Sequence, residues 1–312
     1  MTFAPLRNDS LSGMPQRILA VLVLYKLAPE ESPAFCTLQA LLARDTGMAG
    51  RFACILYDNS PSPHSLPATP FPCLYRHDQT NPGLAQPYQY GLDQAMSADV
   101  PWLLLLDQDT TITAAYLREA LAVTDQIASD GHIVAVVPKL LQGEEMLSPH
   151  WPTRHPKPEP LHQKCGLLDQ KVKIFNSGSL LRVTALAKIG GFPRSFPLDY
   201  LDHVVFHQLQ NQGGKVYLMH AGLQHSLSYL QIDLIREFRT SYRTRLIMNA
   251  ESRYYKQFGT PRERVLYFLR RIRLGLRMIA AAEFRGALSL LRHSLNLSRI
   301  APDSSVPIQK QR

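Results

Sequence analysis

The sequence predicts an α/β protein built on a mostly parallel sheet with helices on both faces. Three observations predict it. Apolar runs such as "RILAVLVLY" (17–25) and "PWLLLL" (101–106) lack polar alternation, the pattern of strands buried on both sides. They alternate with segments of helical spacing, which parallel strands need as crossovers. The runs also end in turn-forming or acidic residues, where open sheets of this kind place their ligands.

Taken in order, "RILAVLVLY" is the first strand and "PAFCTLQALLAR" (33–44) a helix. "RFACILYDNS" (51–60) is a second buried strand that breaks at Asp58-Asn59-Ser60 into a proline-rich loop, and "CLYRH" (73–77) is a short third. "GLAQPYQYGLDQAMSA" (83–98) reads as a helix with Pro87 in its first turn, where a missing N–H costs least. "PWLLLLDQD" is the fourth strand, and "HIVAVVPKLL" (132–141) another. An irregular Pro- and His-rich stretch, 148–163, follows. "VKIFNSGSLLRVTALAKIGGF" (172–192) gives a strand, a small-residue turn and a helix closed by Gly190-Gly191. A further helix begins near Asp199, ends at Gly213-Gly214 and leads into a strand; from about 232 onward only helices are expected.

With 45% hydrophobic and 19% charged residues over 312 positions, the composition is that of a folded globular protein. No apolar run reaches the roughly 18–20 residues needed to cross a bilayer, "ILAVLVLY" included, and no signal-peptide pattern follows it. Cys36, Cys54, Cys73 and Cys165 lack paired spacing and read as free thiols in a reducing, cytoplasmic setting. Charge is uneven. Residues 235–300 hold 15 of the 34 Lys+Arg but 4 of the 25 Asp+Glu, so a near-neutral domain carries a basic appendage.

Neither a GxGxxG fingerprint nor a P-loop follows the first strand; "YKLAPEES" stands there instead. A diphosphate can also be neutralised by a divalent cation on carboxylates, since Mg²⁺ and Mn²⁺ favour oxygen ligands. Asp107-Gln108-Asp109 at a strand end suits that chemistry, because two carboxylates this close repel unless a cation lies between them.

The motifs "VLVLY", "YDNSPS", "NPGLAQPYQYGLDQA", "LLLLDQDT", "NSGSLL", "IGGFPRSFPLDYLDHVVFHQL" and "LQHSLS" resemble, in this order, glycosyltransferase family 2, most of all its rhamnosyltransferase-like branch. The resemblance covers about residues 17–250. It implies a GT-A fold and inverting transfer from a dTDP- or UDP-linked sugar, with rhamnose from dTDP-rhamnose as the expected donor and a glycan or lipid-linked acceptor. It implies that Asp58 hydrogen-bonds the base, that Asp107 faces the nucleoside and diphosphate, and that Asp109 ligates Mg²⁺ or Mn²⁺. Asp202 matches the general base and His225 a histidine at the metal or diphosphate, while Asn176, Ser177 and Gly178 line the donor or acceptor pocket. Val204 and Gln208 stand where the family usually has an acidic residue and an arginine. Gln89 replaces a common asparagine, and Pro193-Arg194 an acidic pair. These departures fall in the acceptor half.

Each assignment has an ordinary alternative. Asp107 and Asp109 can be a solvated strand end, Asp58-Asn59 turn residues, and Asp202 a carboxylate favoured by a helix dipole, with Asp199 a cap. His225 can be an ordinary buried histidine and 176–178 a tight turn; His203, His207 and His220 read as structural. A sugar nucleotidyltransferase, or a degenerate module binding nucleotide sugar or membrane, are the competing functions.

The expected organisation is a flexible 1–16, a catalytic domain at 17–232, a basic helical extension at 233–300 and a disordered 301–312. On a helix at 262–279, Val265, Phe268, Leu269, Ile272, Leu276 and Ile279 form one stripe, with Arg262, Arg270, Arg271, Arg273 and Arg277 outside it. Either the stripe lies on an anionic membrane surface, on the cytoplasmic face, or it packs on the catalytic domain with its arginines in water. No helix-turn-helix, zinc finger or aromatic strand set supports a nucleic-acid partner.

Overall fold

The computed structural model describes residues 17–151, 161, 164–224 and 242–280. In chain order they form β1 (Ile18–Leu24), α1 (Pro33–Arg44), α2 (Thr46–Ala49), β2 (Phe52–Asp58), β3 (Cys73–His77), α3 (Ala85–Ser97), β4 (Trp102–Asp107) and α4 (Ala114–Gln126). Next come β5 (Ile133–Gln142), β6 (Glu145–Ser148), β7 (Gly166–Leu167), β8 (Ser179–Arg182), α5 (Val183–Lys188), α6 (Leu201–Asn211), β9 (Lys215–Gln224), α7 (Tyr242–Phe258) and α8 (Pro261–Ala280).

The sheet runs β3-β2-β1-β4-β8-β5-β9-β7, with β6 paired to β5. Strands β3, β2, β1 and β4 are mutually parallel, as are β5 and β9; β8 is antiparallel to both β4 and β5. Every residue of β1 and β2 is buried, and alternation divides them between two cores. Leu19, Val21 and Val23 join Ala53, Ile55, Leu103 and Leu105 under α3, α5 and α6. Ile18, Ala20, Leu22 and Leu24 join Phe52, Leu56, Trp102 and Leu104 under α1 and α4. Strands with apolar neighbours on both faces explain runs without polar alternation. Helix α3 rides close on β1 at Gly91, where a Cβ would come within 2.2 Å of the Val21 Cγ2.

Three expectations change. The strand placed before the 176–178 turn is only an isolated bridge from Lys173 to His150, and the true strand, β8, follows the turn. Residues 110–131, to which the sequence reading gives no element, hold α4, started by Thr113 accepting a hydrogen bond from the Tyr116 N–H. Helix α6 starts at Leu201, and its N-cap is Tyr200 in a left-handed conformation (φ 64°) rather than Asp199. Residues 242–280 are helical throughout apart from the α7–α8 joint. Among the described residues no helix is long and apolar enough to cross a membrane.

Candidate active site

Strand β4 surfaces at Asp107, which is partly buried; the following turn carries Asp109 into solvent and is closed by the Thr110 N–H on the Asp107 carbonyl, 3.2 Å away. Gln108, between them, is anchored to two neighbouring segments. Its Oε1 accepts from the Tyr25 N–H at the end of β1 (2.8 Å), and its carbonyl accepts from the hydroxyl of Ser32, the N-cap of α1 (2.7 Å).

A third carboxylate acts on the same buried phenol as Asp107 and Asp109. Tyr88, fully buried on α3, donates to Asp107 Oδ1 at 3.4 Å. Burial first, then the negative fields of Asp107, Asp202 and Asp109, push its phenol well above the usual range. One side chain therefore senses the β4 tip and the first turn of α6 together. Asp202 Oδ1 accepts from the His203 backbone N–H (2.7 Å) and pairs with His203 Nδ1 (2.8 Å), which leaves Oδ2 without a protein partner among the described residues. The His203 ring is packed against Tyr200 (4.8 Å between centroids), Tyr254 (5.8 Å) and Phe175 (6.1 Å). The His150 ring meets Phe175 at a tilt, 5.9 Å between centroids; burial, helped by His203 and Lys173, lowers its pKa to about 4, so it is neutral near pH 7.

Asp199 ion-pairs with Arg243 of α7 at 2.7 Å. Burial nevertheless pushes its carboxyl up to about 6, with Arg243 opposing and Asp202 adding to the rise. A carboxyl raised by folding holds its proton more tightly in the folded state. Its contribution to stability is complete below its unfolded pKa of 3.8 and is lost as pH rises through about 6. Asp199→Asn should therefore gain on the wild type by up to about 2–3 kcal/mol between acid and neutral pH. Paired thermal melts across that range check it; a constant difference would show that Asp199 does not titrate there.

Asp58 is enclosed by protein partners. It is 0% exposed, with Oδ1 accepting from the Ser60 N–H (2.9 Å) and Oδ2 engaged by the Tyr75 hydroxyl (2.6 Å), the His64 ring (2.8 Å) and the His64 N–H (3.2 Å). Burial disfavours its charge, but the bonds from Ser60, Tyr75 and His64 outweigh that and hold the carboxyl below its ordinary value. Its acceptors are taken by Ser60 and His64 of the following loop and by Tyr75 of β3, so in this structure it ties that loop to the edge strand.

The 176–178 turn divides by residue. Gly178 (φ 71°) donates its N–H to the Leu105 carbonyl, and a Cβ there would meet Leu223 at 2.6 Å, so it is a packing glycine. The Ser177 hydroxyl bonds Thr110 and ties the turn to the β4 tip. Asn176 is buried, and its Oδ1 has no hydrogen-bond partner among the described residues, so it alone of the three keeps an unsatisfied polar atom there. His225 lies outside the described residues; Gln224, the residue before it, bridges to Thr111. No sequence signal marks Tyr88, whose helical spacing reads as core. His203, set aside as structural, is the group that holds Asp202.

For a divalent cation the donors at this end of the sheet fit in kind: carboxylate oxygens on Asp107 and Asp109. Among the described residues no three His, Cys, Asp or Glu side chains form a ready-made cage. Mg²⁺ commonly takes one or two carboxylates and completes its shell with substrate phosphates and water.

The Gln89 departure has its own place. Its Oε1 accepts from the Phe192 N–H at 2.9 Å and its amide donates to Asp93 at 2.8 Å, joining α3 to the turn after α5.

No protein-family model and no curated protein matches the chain. Among solved structures it is similar to Staphylococcus aureus TarS. With one crystal structure of TarS it shares 13% identity at a TM-score of 0.50, over 90% of this chain and 54% of that one. With TarS 1–349 it shares 12% identity at 0.48, over 89% and 88%. The chain thus spans about half the length of the longer TarS chain. The likeness is one of fold. With the sheet order above, it gives the chain a GT-A architecture: a mostly parallel sheet flanked by helices.

Proposed function

We propose that the chain is an inverting glycosyltransferase that moves a sugar from a nucleotide diphosphate to a glycan or lipid-linked hydroxyl. The observation that carries this reading is the buried Tyr88 phenol, which bonds Asp107 at the carboxyl end of the parallel strands and is raised by the charges of Asp107, Asp202 and Asp109. In-line displacement at an anomeric carbon needs a base on the attacking hydroxyl and positive charge at the leaving group. Asp202 supplies the first: Oδ2 accepts the acceptor's proton while His203 holds Oδ1 and fixes the carboxylate plane. Asp109, with Asp107 beside it, would hold Mg²⁺ or Mn²⁺, which when bound supplies charge to the departing diphosphate. Asn176 Oδ1 would offer a further acceptor to the substrate, on a turn that the Ser177–Thr110 contact ties to the β4 tip.

Support for a nucleotide-sugar donor comes from TarS, which has the same architecture and has been crystallised with UDP and with UDP-GlcNAc. The rhamnose donor rests on the family resemblance alone. Calorimetry and turnover with dTDP-rhamnose, UDP-GlcNAc and UDP-glucose, with and without Mn²⁺, test both levels. Preferred turnover of dTDP-rhamnose is expected. Preference for a UDP-hexose removes rhamnose and keeps glycosyl transfer, whereas pyrophosphate release from a nucleoside triphosphate and a sugar phosphate replaces it with nucleotidyl transfer.

A further inference from the structure

Helix α8 is packed by the face that a hydrophobic pattern would send to water. Tyr267 and Arg271 are its buried side chains, 5% and 2% exposed. The Arg271 guanidinium donates to the Tyr267 hydroxyl (2.8 Å) and the Met248 carbonyl (2.9 Å), and pairs with Glu251 at 3.2 Å. Glu251 in turn accepts from the Tyr200 hydroxyl, which ties the helix to the start of α6. The apolar side faces out: Val265 is 58%, Phe268 40%, Leu269 45% and Leu276 60% exposed. Packing of the stripe on the catalytic domain with its arginines in water, one of the two expectations, is therefore overturned. Arg271, an arginine expected in water, is the anchor. The side chain of Ile279 lies outside the described residues.

At roughly 100° per residue, Val265, Leu269, Ile272 and Leu276 fall within about 60° of one another, nearly opposite Tyr267 and Arg271. Arg262, Arg273 and Arg277 follow along one edge of this stripe and Arg264 along the other, all exposed. The single acidic residue of the helix, Glu263, is folded back onto the Thr260 N–H and hydroxyl, each at 2.8 Å.

We propose that this face of α8 docks on an anionic lipid surface, lying in its plane with the leucines in the acyl boundary and the arginines on phosphate headgroups. Complementarity selects this occupant. Exposed leucines have nothing to bury against a nucleic-acid backbone, and a rim of one sign matches a surface of the other sign. The six arginines of the helix rule out its spanning the bilayer. The inference is independent of the reaction assigned to the site.

Co-sedimentation of the full chain with phosphatidylcholine vesicles, with and without phosphatidylglycerol, tests it. Binding only to the anionic vesicles is expected, weakening as salt rises. Arg262→Gln/Arg273→Gln/Arg277→Gln should lower partitioning on the order of 100-fold, from about 1 kcal/mol per arginine near such a surface. Leu269→Asn/Leu276→Asn should lower it by about tenfold per leucine; both positions are exposed, so thermal melts should stay unchanged. Equal binding by the leucine variant overturns the proposal. So does a dimer in light scattering that the leucine variant dissolves, which would make the face a self-interface. Absence of both vesicle binding and dimer also overturns it and assigns the stripe to residues 281–312.

Discussion

Asp202→Asn is expected to slow sugar transfer by about a hundred- to ten-thousandfold, the range of a lost general base, with donor affinity unchanged. Asparagine keeps the side-chain shape and an oxygen that can accept from the His203 N–H, so the first turn of α6 and its packing should persist. What it loses is the proton acceptor at Oδ2. A base acts in the transition state, so turnover and turnover over KM should fall together. Single-turnover kinetics and calorimetric titration of the donor separate the outcomes. If donor affinity drops in step with turnover, Asp202 is a binding residue; if turnover holds, the proton goes elsewhere.

The second large effect is expected at the β4 tip. Asp107→Asn/Asp109→Asn should weaken nucleotide-diphosphate binding in the presence of Mn²⁺ by at least about a hundredfold, since loss of groups that merely orient metal ligands already costs ten- to a hundredfold. Without Mn²⁺ the two proteins should bind alike. Stability should not suffer, because the change removes like charges near a buried phenol and asparagine can still accept from Tyr88. Calorimetry with and without the metal reads this directly. A Mn²⁺ enhancement that survives in the double variant would take the cation away from these residues.

How far the sequence could be read depended on whether the signal was local. The strands at 18–24, 52–58 and 102–107 were legible because burial on both faces leaves a continuous apolar run, and their ends because turns need polar residues. The pairing of the β4 tip with Asp202 was reachable only through family likeness, since nearly a hundred residues separate them. Asp58 shows the limit of a local signal: a strand-end aspartate looks the same in sequence whatever it meets, and its bonds to Tyr75 and His64 could not be read there. Helix α8 shows another limit. Periodicity reports which side is apolar, not which side is covered, and Arg271 is buried only because Glu251, Ser252 and Tyr267 receive it.

Gln108 has one last implication. By bonding both the end of β1 and the cap of α1, it makes three segments a single stiff mount for the carboxylates on either side of it. The rotational freedom of that turn is given up when the chain folds, not when a ligand arrives, so capture carries little ordering penalty there.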